Sequence, residues 1–242
     1  MKKKPVIKSF FVLIFVLVTL LGSLLNAQIN PENLLSDVRK NFARVKDYSA
    51  DMLIKVDINI IKVPETKVKI LYKAPDKIRV KSESFAMLPK EGMNFSPNAL
   101  LKGDNSIIFE KEEDWNGSRI AVIKLIPLGS ASEIVLSTIW VDVNQLVVRK
   151  VESTTKTRGT FVIDLQYEKT VTEFPLPSMM TFKFDMSRQN FNSHGFEEDE
   201  KPKEEKKDKS KNTEGTVKIV YSGYAVNKGI PDSEFTEQEK KK

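Results

Sequence analysis

Cysteine is absent from the 242 residues. That excludes disulfides, thiolate metal sites, a cysteine nucleophile and acylation at an N-terminal cysteine. The fold must therefore be held by its core alone. Histidine occurs once, at His194, beside a run of charge. A lone histidine in that setting does not point to a Ser-His-Asp triad or a histidine-ligated metal. Glycine numbers only ten, and no glycine-rich phosphate loop, Walker-type lysine or dinucleotide fingerprint occurs. The two tryptophans, Trp115 in a turn and Trp140 in a strand pattern, read as packing. No catalytic residue, metal ligand or cofactor is nominated, and the chain reads as a non-enzyme.

A basic character is also missing once the first residues are set aside. The formal net charge is +6, from 39 basic and 33 acidic residues. Four of those bases, Lys2, Lys3, Lys4 and Lys8, stand ahead of the apolar run Phe10 to Leu25. Residues 1–27 read as a cleavable secretory signal, with Leu25-Asn26-Ala27 as its cleavage site. Without them 35 bases face 33 acids, a net charge of +2. No nucleic-acid partner is expected at that balance. Residues 28–242 are long enough for one domain.

What is present is alternation. TKVKILYKAPDKIRVKSES sets Val68, Ile70 and Tyr72 against Lys67, Lys69 and Lys73. After the Pro75-Asp76 corner, Ile78 and Val80 oppose Lys77, Arg79 and Lys81. Period two puts one set on a dry face and the other in water, and proline and aspartate favour the turn between. The same period predicts strands over Ser49–Ile61, Ser106–Glu110, Arg119–Ile126, Glu133–Asp142, Leu146–Ser153, Thr160–Lys169, Met179–Arg188 and Thr216–Val226. Asn116-Gly117 marks a hairpin turn. One helix is predicted, from Pro31 to about Lys46. Asn30 is its N-cap, and Leu34, Leu35, Val38, Phe42 and Val45 recur on one stripe.

Two stretches break the pattern. Phe85 to Leu101 is apolar without alternation and is interrupted by Pro89, Gly92 and Pro97. It reads either as a lid, with a short helix from Asn98 to about Lys102, or as a plug at one end of the core. From Glu197 to Lys211, 13 of 15 residues are charged. Residues from about 193 to 215 are therefore read as a disordered insertion between the last two strands, and the chain after about 236 as a frayed tail.

About ten strands with one apolar face and one helix cannot lie flat without leaving that face wet. The sheet must curl, into a closed barrel or sandwich or into a half-barrel with the helix in its mouth. A half-barrel lined by Ile, Val, Met, Phe and Leu suits an acyl chain and not a polar metabolite. Adaptable methionines, among them Met52, Met87, Met93, Met179, Met180 and Met186, fit such a role, although ordinary core filling accounts for each singly.

Taken in order, the helix with YSADMLIKV, then KILYKAPDKIRV, FAMLPKEGMNFSPNALL, STIWVDVNQLVVRKVES and TRGTFVIDLQYE before LPSMMTFKF, resembles the LolA-like lipoprotein-carrier superfamily. The resemblance implies a mainly β fold. An antiparallel curved sheet forms a half-open β-barrel, covered by an N-terminal helix and a lid segment. It implies a periplasmic, monomeric carrier of lipid acyl chains. The cargo would be an acylated lipoprotein or phospholipid, passed from an inner-membrane extraction complex to an outer-membrane receptor. The nominated cavity residues are Leu34, Leu35, Val38 and Phe42 on the helix, with Met52, Ile54, Val56, Ile70, Tyr72, Ile78 and Val80 on early strands. Phe85, Met87 and Phe95 are nominated from the lid. Two positions depart from the family pattern. Ala74 stands where the carriers have an arginine tied to lid opening, and Ile78 stands where an aromatic is expected. That latch is not carried over. A sensor or adaptor of the same fold, working through a membrane-protein partner, is the alternative.

Overall fold

The computed structural model describes residues 29–58, 61–62, 64–81, 103–129, 132–185 and 214–236. Helix α1 spans Pro31–Phe42. Eleven strands follow: β1 (Asp47–Ile58), β2 (Ile61–Lys62), β3 (Thr66–Lys73), β4 (Lys77–Lys81), β5 (Asn105–Trp115), β6 (Ser118–Pro127), β7 (Ile134–Asp142), β8 (Val147–Thr155), β9 (Thr160–Gln166), β10 (Met179–Asp185) and β11 (Glu214–Val226). A 3-10 turn, Asp232–Glu234, comes last.

All the strands join one antiparallel sheet in the order β4-β3-β1-β11-β10-β9-β8-β7-β6-β5, with β2 beside β1. Hairpins of neighbours in sequence make most of it. The exception is β1, which pairs with β11 across the whole domain. Among the described residues β4 and β5 each have one neighbour, so the sheet is not closed.

It is strongly curved, and α1 measures the curvature. Phe42 packs its ring edge-on against Tyr72 of β3, with centroids 5.8 Å apart. The same helix packs on β5 and β8. Laid flat, β3 and β5 would stand about 38 Å apart at ordinary strand spacing. A twelve-residue helix is only about 18 Å long. It reaches both because the sheet wraps round it. Leu34, Leu35, Val38 and Phe42 are all buried in the mouth of that wrap.

The strand register lays the apolar residues in rows across the concave face. One row runs Val56, Val217, Phe182, Ile163, Val151, Ile139, Ile123 and Phe109, one residue from each of eight neighbouring strands. The next runs Gly215, Phe184, Phe161, Ser153, Ser137, Leu125 and Ile107. Gly215 is where the Phe184 ring lies on the neighbouring backbone. An added Cβ would stand 2.6 Å from that ring.

The element boundaries correct the sequence reading in several places. α1 stops at Phe42 and not near Lys46. Val45 N–H donates to the Phe42 carbonyl, and the chain unwinds so that Val45 is buried and Asp47 enters β1. β1 therefore begins at Asp47 and not at Ser49. β9 ends at Gln166, short of Lys169, and the Tyr167 hydroxyl donates to the Val148 carbonyl at 2.9 Å. β5 continues past Glu110 to Trp115, because hairpin pairing and the Glu112–Arg119 ion pair at 2.6 Å carry the polar EKEEDW run onward. Glu214 and Gly215, placed in the insertion by the sequence reading, belong to β11. Asn116 and Gly117 turn with φ of 53° and 84°, as the hairpin requires. The Ala74–Pro75 peptide at the other corner is cis. The signal (1–27), the loop 85–101, His194, most of the 193–215 insertion and the tail from 237 lie outside the described residues.

Candidate functional site

The concave face is built from alternate residues of ten strands. Of the residues nominated from sequence, Met52, Ile54, Ile70 and Tyr72 are each about 1% exposed there. Val56, Ile78 and Val80 share the face but keep partial exposure. The pairings Ile78–Tyr72–Tyr48 and Val80–Ile70–Ala50 put them in register. Phe85, Met87 and Phe95 lie outside the described residues.

The sequence reading named only the first half of this surface. Ile163, Leu165, Met180, Phe182, Val217 and Ile219 line the second half, and all are buried. Their alternation carried the same signal as the early strands. Only the β1–β11 pairing places the two halves side by side.

Tyrosines close one end. Tyr48 stacks on Tyr72 at 5.2 Å and meets Tyr224 edge-on at 5.6 Å, and Tyr224 stacks on Tyr221 at 6.1 Å. The Tyr72 hydroxyl donates to the Pro75 carbonyl and that of Tyr224 to the Pro177 carbonyl. Burial pushes the phenols of Tyr48, Tyr167, Tyr221 and Tyr224 far above their usual range, and the neighbouring phenols add to this at Tyr48 and Tyr224. The folded state thus holds its tyrosines protonated while the unfolded chain ionises them. Their contribution to stability is intact below about pH 10 and is lost above it. Urea unfolding should show stability constant to that point and then falling by about 1.4 kcal/mol per pH unit for each buried tyrosine. A flat profile to pH ~11 would mean the phenols are solvated.

Within the rows the polar side chains are Ser137 and Ser153. They are buried and bonded to each other, oxygen to oxygen, at 2.7 Å. Their hydrogen bonding is satisfied in the pair, so the face presents hydrocarbon and aromatic rings. Among the described residues no group of three or more His, Asp or Glu side chains could hold a metal ion. No described helix is long and apolar enough to cross a membrane.

The outer face is charged. Lys124–Glu110 and Lys183–Asp164 pair across strands, Lys150–Glu152 pairs along β8, and Trp140 stacks with the Trp115 ring and carries the Lys150 ammonium over its own. The tryptophans therefore pack on the outer face and not in the concave one.

No family model and no curated protein matches the sequence. Solved structures do match the fold. A LolA superfamily protein from Nitrosomonas europaea aligns with a TM-score of 0.52 at 11% identity, over 86% of this chain and 98% of that one. A DUF1329 family protein from Desulfovibrio piger aligns with a TM-score of 0.55, also at 11% identity and over the same shares. The chain has the LolA-like fold: among the described residues it is mainly β, with one α-helix and a curved, unclosed antiparallel sheet that has ten strands along its path and β2 beside β1.

Proposed function

We propose that this chain is an exported lipid carrier that holds the acyl chains of a lipoprotein or phospholipid against the concave face of its half-barrel. The observation that carries the reading is the unbroken apolar row from Val56 to Phe109 across eight strands of an unclosed sheet. A closed core would need no open edges, and a polar metabolite would need convergent polar groups. Each methylene transferred from a membrane to water costs about 0.8 kcal/mol, so a carrier must return most of that from dry surface. Residues Leu34 to Phe42 on α1 and the inward residues of β1, β3 and β4 would form the near wall, with β9, β10 and β11 as the far wall. The protein would work in the periplasm, between an inner-membrane donor and an outer-membrane acceptor. It would bind and release without covalent chemistry.

Native mass spectrometry of the protein purified from a membrane-containing host tests this, with organic extraction of whatever travels with it. A co-purifying phospholipid or acylated protein is the expected result. An apo mass, with no later uptake of a fluorescent fatty acid, would overturn the carrier reading. It would move the assignment to a domain of the same fold that works by contacting a membrane protein.

A further inference from the structure

The outer edge of the sheet is strand β4, and it is basic. Lys73 at the end of β3, with Lys77, Arg79 and Lys81 of β4, stands along this margin. One short segment of the same chain reaches all four. Lys73 Nζ donates to the Ile230 carbonyl at 2.9 Å and pairs with Asp232 at 2.7 Å. Lys77 pairs with the same carboxylate at 3.2 Å. Arg79 donates to the carbonyls of Glu234 and Thr236, at 2.6 and 3.0 Å, and Lys81 pairs with Glu234.

The root and the tip of this segment are held differently. At the root the buried Asp47 carboxylate accepts from the backbone N–H of Lys228 and Gly229. Asn227 accepts from Lys46 N–H and donates to the Arg44 carbonyl. Asp47 is the buried member of this anchor, and its carboxylate is hydrogen-bonded. The tip is held to β4 by exposed charges, which are individually weak and screened by salt. Among the described residues the four cations face two carboxylates, Asp232 and Glu234. Among the described residues the tip makes no backbone pairing with β4, so the strand's outer hydrogen-bonding edge is not satisfied by it.

We propose that the β4 edge is a docking strip for an acidic, extended segment of a partner protein, and that residues 230–236 occupy it as a displaceable strap. The strap displays the chemistry the strip accepts, carboxylates two residues apart at Asp232 and Glu234 and accepting carbonyls at Ile230, Glu234 and Thr236. A partner segment carrying more acids would balance the four cations and also add main-chain bonds to the edge strand, which the strap does not.

Fluorescence anisotropy with a labelled short peptide bearing alternate glutamates tests the proposal. It is titrated with the intact chain and with its Asp232→Asn/Glu234→Gln variant. The variant is expected to bind about tenfold more tightly, because the competing carboxylates are gone. Adding Lys77→Gln/Arg79→Gln is expected to remove binding from both, with thermal unfolding showing that the sheet persists. Lys73→Gln/Lys81→Gln replaces that pair should it fail to fold. The proposal is overturned if the peptide binds neither chain, or if the strap variant binds no more tightly. It is also overturned if phosphatidylglycerol vesicles, and not the peptide, are held by these four side chains.

Discussion

On the proposed carrier reading, replacing both Val56 and Ile78 by glutamate is expected to weaken acyl-chain uptake by more than about 100-fold while the sheet still folds. Both positions look into the concave face but are only half-buried. Free protein can therefore hydrate the new carboxylates with little rearrangement, at about 1 kcal/mol or less each. Bound hydrocarbon removes that water, and an unpaired carboxylate against an acyl chain is costly. Ile54→Glu makes the contrast. Ile54 is 1% exposed between Ile219 and Thr66, so a charge there has no route to solvent and takes the fold with it. Val220→Glu is the control. Val220 is 39% exposed on the outer face, and its replacement leaves both uptake and stability near the parent values. The measurement is a fluorescent fatty-acid titration beside a urea curve for each variant. If Val56→Glu/Ile78→Glu binds as the parent does, the cargo does not sit on this face.

Asp142→Ala lowers unfolding stability by about 3 kcal/mol, the largest single-residue loss expected outside the apolar rows. Asp142 is wholly buried at the end of β7. One carboxylate oxygen accepts from the N–H groups of Asn144 and Gln145, at 3.0 and 2.9 Å. The other faces the Arg149 guanidinium at 3.1 Å. Alanine would strand two turn N–H groups and a guanidinium whose side chain is only 19% exposed. The damage reaches the helix as well. Asn41 of α1 donates to the Gln145 and Leu146 carbonyls of that same turn, at 3.1 and 3.2 Å. Asp142→Asn keeps an acceptor for the turn and loses only the charge, so it falls between the two. Urea midpoints at constant slope decide the matter. A loss under about 1 kcal/mol would mean that water replaces the carboxylate.

Asp142 also marks where sequence reading runs out. It sits at a polar position of an alternating strand, which sequence assigns to the wet face. It is dry because Arg149 is the extra residue of a bulge, seen as the register shift between the Trp140–Lys150 and Val141–Val148 pairs. No local pattern announces a bulge, because a bulge is a property of how two strands pair and it bends the strand that carries it. The helix overshoot has a related origin. Val45 continues the apolar spacing of α1, yet it is buried by the turn into β1 and not by another turn of helix.

The sequence alone pointed to ten of the eleven described strands and their dry faces, helix α1 and the Asn116-Gly117 hairpin. Those follow from steric and solvation preferences that act within a few residues. It also excluded thiol chemistry, since the chain has no cysteine. Tertiary structure alone decided that β1 lies against β11, that Val56 begins a row ending at Phe109, and that a strap from residue 230 crosses β4. Each of these joins residues far apart in the chain. An alternating strand specifies which face it buries, but any other alternating strand satisfies it equally as a neighbour. The choice among partners was made by curvature, loop length and helix α1, which the sheet had to enclose.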